Sequence, residues 1–305
     1  MAGIDVSVCM VSLDSGKVLQ ACLDSLPAAI APLSYEVILV DNASSDGTPE
    51  VLEARASAGL RLVRNGRNVG FTRATNQAIE LSSGRHILWL NNDTLLTPGA
   101  LGALSGYLDE NPRAGIVGPK VLNPDGTFQP QCRRGLPTPW AALSYRLGLN
   151  RLFPRRAAFG RYLLSDRPVD EACQVDAVSG CCLMARRQVL DDIGPLDEDY
   201  FGFGEDIDWC FRAKERGWEV WYRPESVIVH LKGQGGAQSK PYHKVWGIHQ
   251  AMRTFYAKHL RARYPRFLAG PVTAGIWISF ALSGFGVWLG RIMNRGRRSG
   301  GADGA

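Results

Sequence analysis

Residues 35–58, YEVILVDNASSDGTPEVLEARASA, hold the pattern that decides the fold of this chain. The apolar run Tyr35–Val40 predicts a buried strand, the polar stretch after it predicts a turn, and Thr48–Ala58 predicts a helix. A buried strand followed at once by a helix is typical of parallel α/β sheets, because parallel strands need a crossover connection. We therefore expect Asp41 to lie at the carboxyl end of a parallel strand, where open α/β sheets bind their ligands.

The same alternation of strand and helix extends on both sides of this unit, from residue 4 to residue 121. The other predicted strands of this region are Ile4–Leu13, Leu60–Arg64, His86–Leu90 and Gly115–Val121. Its other predicted helices are Lys17–Leu26, Gly70–Leu81 and Gly99–Asn111. In the second half, the patterns predict a strand at Val175–Ala185, a helix from Gly204 to Arg216, strand segments at Glu219–Tyr222 and Val227–Val229, and a helix at Val245–Leu260.

The charge of the chain is unevenly distributed. In total, 35 basic and 29 acidic side chains give a net charge of +6, but residues 253–298 hold nine basic and no acidic side chains. The near-neutral remainder argues against a nucleic-acid-binding face on the main domain. The seven cysteines form no Cys-X-X-Cys pair, and no basic leader precedes the first strand, so we expect a reduced, cytoplasmic catalytic part.

Two common nucleotide-binding motifs are missing from the sequence. No G-x-G-x-x-G follows the first predicted strand and no G-x-x-x-x-G-K-[ST] occurs, which disfavours dehydrogenases and P-loop kinases. A nucleotide diphosphate bound to this sheet would then need a divalent cation to balance its charge. Asn91 and Asp93 follow the fourth strand and project to the same side, because strand residues alternate faces, so their oxygens are candidate ligands for that cation.

Six blocks of the sequence, in order, resemble those of family 2 glycosyltransferases, and especially of the bacterial rhamnosyltransferase-like enzymes that build cell-envelope polysaccharide. The blocks are VILVDNASSDGT, RNGRNVGFTRATNQAI, ILWLNNDT, GPKVLNPDGT, SGCCLMARRQVLDDIGPLDEDYFGFGEDIDWCFRAKERGW and VIVH, and the resemblance covers residues 4–235. It implies an α/β GT-A fold with a mostly parallel nucleotide-binding sheet flanked by helices. It also implies a nucleotide-diphosphate-sugar donor and inversion at the anomeric carbon.

The resemblance implies donor-binding roles for residues at the strand ends. Asp41 would contact the nucleoside base, with Ser12 and Asn68 nearby, although the aromatic residue that the family usually carries after its first strand is absent. Asn92 would lie near the ribose. Asn91 stands where an acid is common in the family's DxD motif, which leaves fewer carboxylates to hold a metal.

The resemblance also implies the metal ligands and the base. Asp93 would be the main ligand of Mg²⁺ or Mn²⁺, and His230 would be a further one. Asp206 would be the catalytic base, and Glu205 beside it would hold the acceptor. This arrangement suits an inverting transfer, which needs a carboxylate to take the proton of the attacking hydroxyl and electrophilic help for the departing diphosphate. Each of these residues also has a purely structural interpretation, as a strand-end or helix cap or as a structural histidine.

The resemblance and the composition together predict the domain organisation. Residues 1–235 form the glycosyltransferase domain, with a nucleotide-sugar half at 1–122, a basic loop or linker at 123–172, and an acceptor and catalytic-base half at 173–235. After it we expect a basic helical linker at 236–266, an apolar membrane segment at 267–290 and a basic flexible tail at 291–305.

Two regions favour contact with a membrane. Phe267–Gly290 holds 24 residues without a formal charge, but both flanks are basic, so a span, a re-entrant hairpin and an interfacial segment all remain open. Arg133–Arg167 contains eight arginines and the single acid Asp166, interleaved with apolar side chains. This stretch suits an anionic leaflet or a phosphate-bearing lipid acceptor, and equally a solvated loop.

The leading hypothesis is a metal-dependent, inverting glycosyltransferase at the cytoplasmic face of the membrane. It would move a sugar, with L-rhamnose as the leading candidate, from a dTDP- or UDP-linked donor to a lipid-linked cell-envelope glycan. We expect no nucleic-acid partner. A sugar nucleotidyltransferase is an alternative, but SLDSGKVLQ after the first strand lacks its glycine- and arginine-rich loop. The second alternative is a non-catalytic, membrane-bound sugar-binding protein. The sequence leaves open the sugar, the base, the linkage and the oligomeric state.

Overall fold

The computed structural model describes residues 3–56, 60–231 and 241–299. Backbone contacts divide the chain into two compact units, an N-terminal unit of Met1–Ala237 and a C-terminal unit of Gln238–Ala305. The N-terminal unit contains the sheet, and the described part of the C-terminal unit is helical.

The N-terminal unit alternates strands and helices through its first half and mixes them in its second. Its strands are β1 (Val6–Ser12), β2 (Tyr35–Asp41), β3 (Arg61–Arg64), β4 (His86–Asn91), β5 (Thr94–Leu96), β6 (Ala114–Leu122), β7 (Arg133–Arg134), β8 (Cys173–Gln174), β9 (Ala177–Val178), β10 (Cys182–Arg186) and β11 (Glu219–His230). Its helices are α1 (Gly16–Ile30), α2 (Thr48–Ala56), α3 (Phe71–Glu80), α4 (Ala100–Glu110), α5 (Pro139–Arg146), α6 (Leu149–Leu152), α7 (Ala157–Gly160), α8 (Arg187–Ile193) and α9 (Glu205–Glu215).

Nine strands form one sheet in the order β3-β2-β1-β4-β10-β6-β11-β5, with β8 beside β11. The predicted parallel half is present, since β1 pairs in parallel with both β2 and β4, and β2 with β3. In this register Ser12 lies opposite Asp41 and Val11 opposite Asn91. The carboxyl ends of three strands therefore meet at one edge of the sheet. All seven residues of β1 are buried, as expected for a central strand covered on both faces.

The second half of the sheet differs from the prediction for Val175–Ala185. Instead of one strand, this range contains β9, which pairs with β7, and most of β10, which pairs with β4 and β6. β8 lies just before the range and pairs with β11. The break lies at Gly180, where a Cβ atom would come within 2.6 Å of the Trp89 ring. This close approach is a tertiary contact that no local pattern contains.

The strand segments predicted at Glu219–Tyr222 and Val227–Val229 belong to one strand, β11. Its register against β6 shifts between Arg223 and Val227, and this stretch includes Pro224, which has no N–H for the ladder. At its far end β11 pairs antiparallel with β5, with His230 opposite Thr94.

The basic segment predicted as a loop or linker contains three short helices, α5, α6 and α7. Thr138 begins α5, because its hydroxyl accepts a hydrogen bond from the Ala141 amide at 3.3 Å and Pro139 occupies the first turn. α6 and α7 have 4 residues each, about one helical turn, which is too short for a helical period to show in the sequence.

The C-terminal unit contains α10 (Pro241–Phe255) and α11 (Ala269–Ser299), joined through a π-helical turn at Tyr256–Leu260. Within the described residues, one helix is long and apolar enough to cross a membrane, at Arg266–Arg291, with a mean hydropathy of 1.6. α11 includes the beginning of the predicted basic tail, and residues 300–305 lie outside the described part of the chain, as do 232–240 of the predicted boundary and linker.

Candidate active site

The turn after β2 closes on Asp41, which is buried at the sheet edge. Its Oδ1 accepts hydrogen bonds from the Ser44 amide at 3.2 Å and the Ser44 hydroxyl at 2.5 Å. An Asx turn of this kind fixes the carboxylate through Oδ1. Asp41 is 5% exposed, so a group that reaches it must enter from that edge.

Ser12 and Asn92 take part in a buried hydrogen-bond network at the end of β1. The Ser12 and Ser15 hydroxyls lie 2.7 Å apart. The Asn92 amide donates to the Val11 carbonyl at 2.9 Å and to the Ser15 hydroxyl at 2.8 Å. The NH₂ group of Asn92 therefore holds the turn between β1 and α1, and only its side-chain carbonyl remains for a ligand.

Asn68 belongs to a cluster of side-chain amides that the sequence did not indicate. The Asn42 amide donates to Asn68 Oδ1 at 3.0 Å, and the Asn65 amide donates to Asn42 Oδ1 at 3.1 Å and to Gln77 Oε1 at 2.9 Å. Asn68 Oδ1 also accepts from the Gly70 amide at 2.9 Å. The cluster ties the ends of β2 and β3 to α3 and gives the donor side of the edge a rigid shape.

Asp93 and His230 lie together although they are far apart in sequence. Antiparallel pairing of β11 with β5 brings His230 Nε2 to 3.1 Å from Asp93 Oδ1. Burial by itself lowers the pKa of His230, but hydrogen bonds to Asp93 and Cys181 outweigh it and raise the pKa to about 10. Without another cation, the histidine is therefore held in its charged form beside the carboxylate.

The chemistry of this pair fits a divalent cation. Mg²⁺ and Mn²⁺ are commonly held by one or two protein ligands and by the phosphate oxygens of a substrate. Asn91 Oδ1 is buried at the same strand end and has no hydrogen-bond partner in the described part of the chain. No group of three or more His, Cys, Asp or Glu side chains suited to a metal occurs among the described residues, so the pair would depend on the donor to complete the coordination shell.

Asp206 lies in the first turn of α9 and forms a buried ion pair that the sequence did not predict. Its Oδ2 lies 2.5 Å from Arg134 Nη2 and accepts a hydrogen bond from the Gly180 amide at 3.0 Å. Its Oδ1 accepts from the Ile207 amide at 2.8 Å. α9 begins after Gly204, which has a φ of +86°, a left-handed conformation that glycine adopts without strain.

Unlike Asp206, Glu205 forms no ion pair among the residues that the structure describes. It is 5% exposed, and Oε2 has no hydrogen-bond partner among the residues that the structure describes. Burial, with the negative charge of Asp206 beside it, raises the pKa of Glu205 to about 8. The carboxyl is thus protonated at neutral pH, when it can donate a hydrogen bond instead of accepting one.

The dipeptide Gly180-Cys181 connects the two carboxylates. The Gly180 amide donates to Asp206, while Cys181 hydrogen-bonds to His230 and its carbonyl accepts from the Asn91 amide at 3.0 Å. Gly180 therefore contacts the Asp206–Arg134 pair, and the next residue, Cys181, contacts the Asp93–His230 pair. Gly180 and Cys181 belong to the turn before β10, and nothing in their sequence spacing marks them as part of a site.

Arg134 is the other site residue that sequence reasoning missed. It was one of eight arginines in a basic stretch, and only the pairing of β7 with β9 places it against α9. A Cβ atom on Gly135 would lie 2.2 Å from the Arg161 carbonyl, which shows how tightly this segment packs.

Comparison with known proteins gives a consistent picture. The sequence model of "Glycosyl transferase family 2" matches residues 7–194. The chain is 31% identical over 253 residues to the N-acetylglucosaminyl-diphospho-decaprenol L-rhamnosyltransferase of Mycobacterium tuberculosis, covering 77% of this chain and 79% of the relative. It is 26% identical over 183 residues to the low-salt glycan biosynthesis hexosyltransferase Agl10 of Haloferax volcanii, covering 59% and 53%.

Solved structures show the same fold. The mannosyltransferase PcManGT of Pyrobaculum calidifontis, in complex with GDP-Man and Mn²⁺, superposes with a TM-score of 0.60 at 17% identity, covering 93% of this chain and 74% of that one. TarS of S. aureus superposes with a TM-score of 0.55 at 16% identity, covering 84% and 40%. The family match, the relatives and the α/β sheet confirm the predicted fold and family: the chain has the GT-A fold and belongs to glycosyltransferase family 2.

Proposed function

We propose that this glycosyltransferase moves L-rhamnose, with inversion, from a nucleotide-diphosphate donor to a lipid-linked glycan at the cytoplasmic face of the membrane. The donor is dTDP-rhamnose, with a UDP-linked sugar as the alternative. The observation that carries the proposal is the pair of buried carboxylates, Asp93 with His230 and Asp206 with Arg134, joined through Gly180-Cys181. The name of the mycobacterial relative, a rhamnosyltransferase acting on a diphospho-decaprenol acceptor, supports the sugar and the acceptor class.

On the donor side, the strand-end residues bind and orient the nucleotide. Asp41 accepts hydrogen bonds from the nucleoside base, with Ser12 and Asn68 shaping the same edge, and Asn92 approaches the ribose through its carbonyl. Asp93 and His230 would hold Mg²⁺ or Mn²⁺, with Asn91 beside them. When bound, the cation supplies Lewis-acid stabilisation to the departing diphosphate.

On the acceptor side, Asp206 takes the proton of the attacking hydroxyl. Each carboxylate oxygen can accept two hydrogen bonds, so Oδ1 can bind that hydroxyl while the Ile207 amide keeps it in place. As the proton moves to Oδ1, the hydroxyl oxygen bonds to the anomeric carbon from the face opposite the diphosphate. The bond between that carbon and the phosphate oxygen breaks, and the diphosphate leaves with the electron pair.

Glu205 and Arg134 prepare this step without taking the proton. Glu205, protonated at neutral pH, donates a hydrogen bond to an acceptor oxygen and so orients the acceptor. Arg134 positions Asp206, because its guanidinium and the Gly180 amide both bind Oδ2. The apolar helix at Arg266–Arg291 supports membrane attachment, where the lipid-linked acceptor resides.

The test is a transfer assay with the purified full-length chain in lipid nanodiscs. The acceptor is N-acetylglucosaminyl-diphospho-polyprenol, and the donors are dTDP-rhamnose, UDP-glucose, UDP-N-acetylglucosamine and GDP-mannose, each with Mn²⁺, with Mg²⁺ and with EDTA. We expect rhamnosyl transfer from the dTDP donor that EDTA abolishes and added metal restores, with an inverted anomeric configuration by NMR.

Three results would contradict the proposal in different ways. Transfer of another sugar would overturn the choice of donor, and full activity in EDTA would overturn the metal role of Asp93 and His230. Release of pyrophosphate from a nucleoside triphosphate, without transfer, would favour the nucleotidyltransferase. Thermal shifts with each donor, measured on the same preparation, distinguish an inactive protein from one that binds a donor without cleaving it.

A further inference from the structure

One surface of the N-terminal unit, which contains none of the site residues, has large apolar side chains exposed to solvent. We call it the arginine-aromatic surface and define it as residues 139–161, which form α5, α6, α7 and their connections. Six of its large side chains are between 41% and 69% exposed, namely Trp140, Leu143, Tyr145, Leu147, Leu152 and Phe153. Contiguous apolar exposure of this kind marks an interaction surface more often than ordinary solvent-facing structure.

The charge of this surface has one sign. Residues 139–161 contain five arginines and no acidic residue, and all five are exposed: Arg146, Arg151, Arg155, Arg156 and Arg161. Guanidinium groups interleaved with aromatic and leucine side chains are the composition of surfaces that insert at the boundary between lipid headgroups and acyl chains.

The three helices form one continuous surface. The ring centroids of Trp140 and Phe159 lie 6.0 Å apart, and those of Phe153 and Phe159 lie 5.4 Å apart, so α5, the end of α6 and α7 meet around Phe159. The Trp140 indole N–H donates to the Ala158 carbonyl at 2.8 Å, which fixes the ring. The apolar side chains are thus held in place before any partner arrives.

This surface adjoins the acceptor side of the site. The Gly135 amide, one residue from the Asp206 partner Arg134, donates to the Tyr162 carbonyl at 2.9 Å. The Tyr162 ring also packs against the ring of Tyr145 in α5, with centroids 5.2 Å apart and planes tilted by 58°. Burial raises the pKa of Tyr162, and the charge of Arg134 counteracts that rise.

We propose that the arginine-aromatic surface docks on an anionic phospholipid leaflet and so brings the acceptor side of the N-terminal unit to the bilayer. The apolar side chains enter the headgroup region while the five arginines pair with lipid phosphates. Charge complementarity selects this occupant, because an anionic leaflet offers dense negative charge and apolar depth together. The inference concerns lipid contact, so it does not depend on the sugar or the reaction proposed above.

The test places a polarity-sensitive NBD label on the surface of the full-length chain. Leu147→Cys, at a side chain that is 60% exposed, is labelled, and the chain is reconstituted in vesicles of phosphatidylcholine with or without phosphatidylglycerol. Six native cysteines are buried and Cys173 is partly buried, so the labelled native chain serves as the blank. Arg216→Cys is the matched control label, at an exposed arginine directly after the last residue of α9.

We expect the Leu147→Cys label to shift its emission to the blue and to be quenched by acyl-chain-brominated lipid in phosphatidylglycerol vesicles, while the Arg216→Cys label shows neither change. Adding the triple reversal R151E/R155E/R156E should weaken docking by about fivefold for each arginine removed, from a contribution of about 1 kcal/mol per basic residue. Reversal of Arg216 to Glu should leave docking unchanged.

The proposal is wrong if the Leu147→Cys label stays in water in both vesicle types, or if a soluble acidic protein protects it and the bilayer does not. Equal insertion into pure phosphatidylcholine would overturn the role of the arginines. Thermal unfolding of each variant confirms that it is folded. Because the label reports lipid contact, docking can be observed even where the transfer assay fails.

Discussion

Two buried carboxylates of the site have partners of opposite kinds. Asp93 pairs with a histidine, which becomes neutral when it loses a proton and can then bind a metal. Asp206 pairs with an arginine, which stays charged at any pH that the protein meets. The first pair can exchange its proton for a divalent cation, whereas the second is a fixed ion pair that sets the direction of one carboxylate. In the proposed function, this difference separates a donor side that depends on the metal concentration from an acceptor side whose carboxylate has a fixed direction.

The largest effect on transfer is expected when Asp206 of the Asp206–Arg134 pair is substituted. Asp206→Asn keeps the shape of the side chain but removes the proposed base, so transfer should fall by about 10²–10⁴-fold. Donor binding, followed by the thermal shift with the nucleotide sugar, should be retained. Asp166→Asn, at an exposed acid, is the control and should transfer normally. Normal turnover by Asp206→Asn would mean that Asp206 is not the base that takes the proton of the acceptor.

Next in size is the loss of the arginine. Arg134→Met leaves a buried carboxylate without its cation, which should destabilise the chain by about 3–5 kcal/mol in chemical denaturation. Arg134→Lys keeps the charge but loses the fork geometry of the guanidinium. We expect it to recover most of the stability while kcat stays low and KM for the donor is unchanged. If Lys restores kcat as well, Arg134 serves stability and does not position Asp206.

Substitution in the Asp93–His230 pair should change the metal concentration that transfer requires. His230→Gln should raise the Mn²⁺ concentration for half-maximal transfer by more than about tenfold, because removing even an outer-shell partner of a metal ligand costs at least that much. Saturating Mn²⁺ should recover much of the rate. His243→Gln, at an exposed histidine of α10, should behave as the native chain. An unchanged Mn²⁺ requirement in His230→Gln would make the histidine a structural residue.

The contribution of Glu205 to stability should depend on pH. The folded pKa of about 8 lies above the ordinary value of 4.5, so the folded chain keeps a proton that the unfolded chain loses. Stability should therefore fall as the pH rises from 4.5 to about 8, by up to about 1.4 kcal/mol per unit. Glu205→Gln should reduce this fall in urea denaturation, and Glu110→Gln, at an exposed acid, should not. Parallel pH profiles for Glu205→Gln and the native chain would mean that Glu205 is ionised in the folded state.

The first half of the sheet was predictable because its signals are local. β1, β2 and β4 are apolar runs that end in polar residues, and a helix follows each of β1, β2 and β3 directly along the chain, so the crossover rule orders them. Asp41 and Asn91 could be assigned to one edge on this basis. The second half was not predictable in the same way, since β8, β9 and β10 are short and pair with four different strands, β11, β7, β4 and β6.

The family and the fold followed from the sequence alone, because ordered blocks and strand periodicity are properties of neighbouring residues. The partners of the two carboxylates were decided by tertiary structure. His230 reaches Asp93 through the pairing of β11 with β5, and Arg134 reaches Asp206 through the pairing of β7 with β9. Sequence spacing carries no information about such contacts, because the partner that a buried charge finds depends on which strands pair and not on where its residue lies in the chain.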